Sequence, residues 1–297
     1  MSKRLIKRIQ KDIKELYDNP IENVHFKINE DNMCNLQFMV VGPEDTPYEY
    51  GYFVFDLNIP DNYPFVPPKV KYLSTNGYLR FHPFLYENGK VCLSLLNTWS
   101  GPQWTSVQTL HSILMSIQSI LTNTALLDEP GHTKDNEDLV NLYNKIIEFH
   151  KFDYLIQYQI KKKVFPDFYD IQLELFHKNY KNILKRINKL IKDLPNIINN
   201  LTKTKYSTIY VKCAGKNSNW DANIYFINEK NELHRQLLKK IVLKKNITQK
   251  IQLEDDSKYT VKIIDYQIFA PYPFIRMYSN FDYKKISKKL KYLKENL

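Results

Sequence analysis

From Ser2 onward the apolar positions Leu5, Ile6, Ile9, Ile13, Leu16 and Tyr17 recur every three or four residues, the spacing of a helix with one buried face. Lys3, Arg4, Lys7, Arg8, Lys11 and Lys14 fall on the other face, Ser2 stands at the N-cap position and Pro20 closes the helix. The period then changes to two. Val24, Phe26, Ile28; Leu36, Phe38, Val40; and Phe53, Phe55, Leu57, Ile59 predict an antiparallel meander with one face on a core. GPEDTPYEYG, between the second and third runs, reads as a structured loop, and KVKYL, after NYPFVPP, as a fourth strand. Thr105 with Gln108 reads as a capping box opening a second helix, with a buried stripe of Leu110, Ile113, Leu114, Ile117, Ile120 and Leu121. Helix, meander, long irregular segment and helix make an α+β domain.

Beyond it, Leu139, Leu142, Tyr143, Ile146, Ile147 and His150 predict a helix from Asp135 to about Tyr158. Leu173, Phe176, Tyr180, Ile183, Leu184, Ile187 and Ile191 predict another, ending at Pro195. STIYVKC, ANIYFI, ITQKIQL and KYTVKII then read as strands, the last two joined by the acidic turn EDDS, and a Lys-rich helix starts near Tyr283. Charge changes along the chain. Residues 1–133 carry 11 Lys and Arg against 14 Asp and Glu, and the remainder 32 against 18, so the halves differ as −3 and +14 and a boundary falls near His132 to Lys134. The expected organisation is a core over 1–133, a helical extension packed on it over 134–195, and a β-rich basic module of unassigned role over 201–297, ending in the Lys-rich helix.

The net charge of +11 raises nucleic acid or an acidic membrane as a partner. No RNP-like motif, Cys/His finger or Arg-rich arm accompanies it, and the excess is dispersed Lys, so solvated faces are the expectation and nucleic acid is not an expected partner. Three cysteines without a CxxC pair, and no metal-like cluster with the seven histidines, predict neither a disulfide framework nor a metal site. No apolar run approaches the roughly 18 residues of a membrane span. A cytoplasmic protein is expected, with the nucleus open, and the host cytoplasm if the source is viral.

Asn76 to Gln103 is 28 residues without a clear period, and such loops in compact domains are functional or disordered. The aromatics, prolines and cysteine of FHPFLYENGKVCLSLLNTWSG argue against disorder. Taken alone, Cys92 in VCLSLL looks like a small buried hydrophobe, as do Cys34 and Cys213 in their strand-like stretches. The first helix, GPEDTPYEYG, YPFVPPKV, His82-Pro83 and GKVCLSLL with Trp104 after it, taken in order and spacing, resemble the catalytic fold of the ubiquitin-conjugating enzymes over about 130 residues. GKVCLSLLNTWSGPQWTSVQTLHSILMSIQSILTN followed by DEPG resembles the subgroup with a long Cys-to-Trp insertion typified by ubiquitin-conjugating enzyme Z. A weaker likeness continues through PDFYDIQLELFHKNYKNILKRI.

The resemblance implies a transferase in which Cys92 takes ubiquitin or a related modifier from an activating enzyme as a thioester and passes it to a substrate lysine or a ligase. ATP is used only by the activating enzyme, and no cofactor is implied. The thiol needs exposure enough to ionise, which a loop supplies better than a core strand. Asp128 and Glu129 match the carboxylates that would receive the lysine amine, unless they are only turn residues before Pro130. Family members usually have His-Pro-Asn where this chain has His82, Pro83 and Phe84. Phenylalanine offers an oxyanion no donor, and losing one donor slows catalysis by roughly 100- to 1000-fold. Asn88, Asn97 and backbone amides are candidate substitutes; otherwise aminolysis is weak. His82 is a candidate site residue whose expected role is a structural hydrogen bond. Lys3, Arg4, Lys7 and Arg8 resemble the surface that meets the activating enzyme, and Phe65, Trp104, Ser106 and Val107 the ligase-docking surface. Tyr48 and Trp99 read as packing residues. Two other readings remain: a catalytically weak or silent modifier-binding scaffold, supported by Phe84, and a basic nucleic-acid or membrane adaptor.

Overall fold

The structure, a computed structural model, describes residues 2–77, 79–129, 137–203, 220–227, 233–241, 248–252, 258–262 and 283–297; side chains are described through Lys192, apart from 138, 139 and 142, and again from Lys284. They form two compact units, Met1–Ile183 with Lys288–Leu297, and Leu184–Ser287. The predicted boundary residues His132 to Lys134 lie outside the described residues.

In the first unit, α1 (Lys3–Asp18) starts where the Ser2 hydroxyl accepts the Leu5 amide at 3.2 Å. Leu5, Ile9 and Leu16 are buried as the spacing predicts, and Asp12 is buried among them. Asp12 accepts from Arg8 Nε at 2.9 and 3.0 Å and from the Tyr63 hydroxyl, while Arg8 also donates to the Ser106 carbonyl at 2.8 Å and to that of Gln108. Arg8 therefore leaves the solvent-facing row in which its spacing had placed it. Tyr17 is exposed and meets Phe26 edge-on.

The meander is β1 (Val24–Ile28), β2 (Asn35–Val41), β3 (Tyr52–Asn58) and β4 (Lys69–Tyr72), antiparallel and in chain order. Leu36, Phe38 and Val40 pair with Leu57, Phe55 and Phe53 on the predicted core face, with Phe38 and Phe55 stacked at 4.9 Å. The other face is buried too at one end. Met39, Val41, Tyr52 and Val54 are covered there, while Gln37 and Asp56, hydrogen-bonded at 2.7 Å, stay partly open at the other. The cover comes from the extension: Gln159 Nε2 donates to the Tyr52 carbonyl at 3.1 Å, and the Tyr52 hydroxyl to the Gln172 carbonyl at 2.9 Å.

The second helix starts later than expected. α2 (Leu110–Ser119) is capped by Thr109, whose amide donates to Ser112 Oγ at 2.8 Å; Thr105 and Gln108 close only a turn ahead of it. Its stripe of Leu110, Ile113, Leu114 and Ile117 is buried. α3 (Glu137–His150) runs into a π-helical stretch, Lys151–Tyr158, and then α4 (Gln159–Lys162). From this rod the Tyr143 hydroxyl donates to the Phe81 carbonyl at 2.9 Å and the Tyr154 hydroxyl to that of Thr75 at 2.6 Å, bracing the irregular segment from behind.

α5 (Tyr169–Lys203) continues through Pro195, where the sequence placed its end. α6 (Tyr283–Asn296) is the Lys-rich terminal helix. Its later residues belong to the first unit: Leu290 and Leu293 are buried, Lys289 Nζ meets Asp153 Oδ1 at 2.8 Å and Lys294 Nζ meets His177 Nδ1 at 2.7 Å. The second unit holds two antiparallel hairpins, β5 (Trp220–Ile227) with β6 (Leu233–Ile241) and β7 (Thr248–Gln252) with β8 (Lys258–Lys262). β6 was not foreseen; STIYVKC, with Cys213, and EDDS lie outside the described residues. No described helix is long and apolar enough to cross a membrane.

Candidate active site

The irregular segment closes on itself as a short ribbon beside β4. Leu85 bridges Val91, the Cys92 amide donates to the Phe84 carbonyl at 2.9 Å, and the Tyr86 amide donates to the Lys90 carbonyl at 2.9 Å. The turn passes close to β4, where the Tyr72 amide donates to the Gly89 carbonyl at 2.8 Å. A Cβ on Gly89, at φ +88°, would meet the Tyr72 oxygen at 2.8 Å, so glycine is required before Lys90. After Cys92 the chain turns through Ser94–Leu96 and the left-handed Asn97, and Thr98 Oγ1 accepts the Leu93 amide at 2.9 Å.

Cys92 is only 1% exposed, against the expectation of an open thiol. Tyr86 stands diagonal to it across the ribbon. Behind Tyr86, the Arg80 guanidinium lies 3.6 Å from the ring centroid and its Nη1 3.7 Å from Glu129 Oε1. Arg80 is itself 1% exposed. This polar group around a cysteine was not foreseen; its one signal is Arg80 two residues before His82 in a half that is poor in arginine. Burial, aided by the thiol and Glu129, pushes the Tyr86 hydroxyl above its ordinary pKa against the pull of Arg80.

His82 is enclosed. Its Nδ1 accepts the Phe84 amide at 3.0 Å, so the ring proton sits on Nε2, 3.4 Å from Asp128 Oδ2. Burial lowers the His82 pKa despite Asp128, keeping the ring neutral at neutral pH. The Asp128 side chain is 41% exposed, the more open of the two candidate carboxylates, while Glu129 faces Arg80. The Phe84 ring packs between His82 at 5.3 Å and Trp99 at 5.4 Å. Asn97 Oδ1 accepts the Trp104 amide and Asn88 Oδ1 the Lys90 amide, each at 3.0 Å.

The predicted partner residues divide. Lys3, Arg4 and Lys7 are exposed, as are Ser106, Phe65 at 65% and Val107 at 83%. Arg4 lies 5.3 Å over the Phe65 ring, bringing the two predicted surfaces together. Trp104 is buried, donates its indole N–H to the Pro64 carbonyl at 2.7 Å, and supports the Phe65 loop from beneath. Arg8 is tied to Asp12 and to the carbonyls of Ser106 and Gln108, so it braces this corner instead of offering a free charge.

A family model described as ubiquitin-conjugating enzyme matches residues 8–148. Ubiquitin-conjugating enzyme E2 Z of Xenopus tropicalis is 40% identical over 152 residues, covering 49% of this chain and 47% of that protein. The Homo sapiens protein of the same name is 42% identical over 129 residues, covering 43% and 36%. The chain thus spans less than half the length of these curated relatives. The solved structure of human ubiquitin-conjugating enzyme E2 G1 is 30% identical, with a TM-score of 0.36 over 41% of this chain and 97% of that one.

Proposed function

We propose that this chain, whose residues 8–148 match the ubiquitin-conjugating enzyme family model, carries ubiquitin, or a related modifier, as a thioester on Cys92 and passes it to a lysine or a ligase. The observation that carries this reading is the setting of Cys92. A packing cysteine gathers apolar neighbours, whereas this one lies in a short ribbon on the face it shares with Tyr86, whose ring carries the Arg80 guanidinium with Glu129 beside it.

Charging moves an acyl group between sulfurs. The Cys92 thiolate attacks the thioester carbonyl held by the activating enzyme, a new C–S bond forms, and the enzyme's sulfur leaves with its electron pair. ATP enters only at that enzyme. In the second step a lysine amine attacks the Cys92 thioester. In this reading Asp128, whose side chain is 41% exposed, orients the amine and takes its proton. His82 acts on the backbone, fixing the Phe84 amide, and Asn88 and Asn97 do the same for Lys90 and Trp104. Lys3, Arg4 and Lys7 offer a cationic face to the activating enzyme, and Phe65, Ser106 and Val107 an apolar corner to a ligase.

A second reading, a modifier-binding scaffold without transfer, is favoured by the cover over the Cys92 thiol and by Phe84. An ATP-dependent charging assay with purified activating enzyme and ubiquitin, read on a non-reducing gel, separates the two. A thiol-sensitive adduct is expected that Cys92→Ala abolishes and that Cys34→Ala and Cys213→Ala leave intact; an adduct that survives Cys92→Ala refutes the site.

A further inference from the structure

Resting on the thioester reading of Cys92 and on Asp128 as the carboxylate of the amine step, the geometry points to Arg80 as a positioning residue: through Glu129 it holds the turn that carries Asp128. Arg80 is 1% exposed, and a guanidinium keeps its charge at any ordinary pH, so its burial is costly unless specific partners face it. Two such partners are in place. Its Nη1 lies 3.7 Å from Glu129 Oε1, and its central carbon 3.6 Å from the centroid of the Tyr86 ring. The stretch that carries it is itself fixed. Phe81 is buried, meets Phe53 edge-on at 6.3 Å and accepts the Tyr143 hydroxyl on its carbonyl at 2.9 Å, and His82 after it is buried as well.

The turn that Arg80 reaches has little holding it from within. Ala125–Asp128 is a single 3-10 turn, closed by the Leu127 amide on the Thr124 carbonyl at 2.8 Å and by the Glu129 amide on the Leu126 carbonyl at 3.2 Å. Buried Ala125 and Leu126 fix its start, so its far end depends on side chains. At Glu129 the backbone becomes extended, with φ −79° and ψ 130°, and the two neighbouring carboxylates part. Glu129, 18% exposed, goes to Arg80; Asp128, 41% exposed, keeps its Oδ2 3.4 Å from His82 Nε2. Arg80 and His82, one residue apart in a rigid stretch, thus grip Glu129 and Asp128.

This divides the work between two carboxylates that look alike in the sequence. Glu129 is the tether, turned to a buried cation, and Asp128 is the group that meets the amine. Arg80 touches neither the thioester nor the amine and exchanges no proton; it acts on where Asp128 stands. A misplacement of about 1 Å at a reacting group can cost about 100-fold, so freeing the end of this turn should lower the maximal rate of amine attack by roughly 10- to 100-fold.

The test uses the full chain, charged with ubiquitin by an activating enzyme and ATP and then freed of ATP. Discharge to free lysine is followed in single turnover on the charged fraction alone. Arg80→Gln removes the cation, and Glu129→Gln breaks the pair from its more open side, which keeps the test decisive if the first variant does not fold. Each should lower the maximal discharge rate by roughly 10- to 100-fold, and the double variant no further than the worse single one. Asp128→Asn supplies the readout that a general structural role would not give. If Arg80 and Glu129 act through Asp128, each change alters the already slowed rate of Asp128→Asn by less than about threefold. A Glu129→Gln rate within about threefold of the parent, a full further loss on top of Asp128→Asn, or an Asp128→Asn variant that discharges like the parent overturns the proposal and leaves Cys92 as the carrier. A parent protein that takes no ubiquitin onto Cys92 overturns both.

Discussion

Asp12 offers the sharpest test of how the first unit is held together. Its fully buried carboxylate receives Arg8 Nε and the Tyr63 hydroxyl, and Arg8 in turn grips the carbonyls of Ser106 and Gln108. Asp12→Ala removes the centre of this group. The Arg8 side chain keeps 20% exposure and its carbonyl partners, so water relieves part of its loss, whereas the enclosed Tyr63 hydroxyl has no such relief. Breaking a buried pair from one side costs about 3–5 kcal/mol, and the exposure of Arg8 puts this case at the lower end, about 3 kcal/mol. At a urea slope of about 2 kcal/mol per molar, the midpoint falls by roughly 1.5 M. Burial raises the Asp12 pKa against Tyr63 and Arg8, so the charged pair does not repay its desolvation. Replacing the whole group, Arg8→Met with Asp12→Leu and Tyr63→Phe, should therefore return to within about 1 kcal/mol of the parent. The assay is urea unfolding by tryptophan fluorescence in a Trp220→Phe background, which leaves Trp99 and Trp104, both in the first unit, as reporters. A midpoint shift below about 0.3 M for Asp12→Ala, or a triple variant no better than the single one, refutes the reasoning.

Burial lowers the His150 pKa to about 4 against the pull of Asp153, so the folded protein holds it neutral while the unfolded chain protonates it near 6.5. Its contribution is therefore present above pH 6.5 and lost as pH falls towards 4, by at most about 3 kcal/mol, and urea midpoints over this range should fall more steeply for the parent than for His150→Gln. A protein lacking residues 283–297 uncovers the surface under Leu290 and Leu293, each worth about 1.5–3 kcal/mol when fully buried, and its first unit should unfold at a clearly lower urea concentration. Phe65→Ala with Val107→Ala should change stability by less than about 1 kcal/mol, both side chains being largely exposed, yet lower ligase-stimulated transfer by roughly 10-fold or more; an unaltered transfer rate would remove this corner from the docking surface.

Local periodicity carried much of this protein. The helical spacing and Ser2 cap of α1, the alternation in β1 to β3 and the stripe of α2 are each set within a few residues by the geometry of side-chain projection, so they are legible without any partner. The ribbon around Cys92 has no period, and there only the order and spacing of several short motifs pointed to it. What tertiary structure decided are the meetings across long separations. Asp12 reads as one more surface charge until Tyr63 and Arg8 close over it. The second face of the sheet reads as solvated until Gln159 and Gln172 arrive from the extension, although Met39, Val41 and Val54 already hinted at a cover. Pro195 does not stop α5, and α6 returns its last turns to the first unit. Arg80, Tyr86 and Glu129 come together from positions with no common pattern, because a contact between charges and rings depends on where the backbone brings them, and no local repeat encodes that distance.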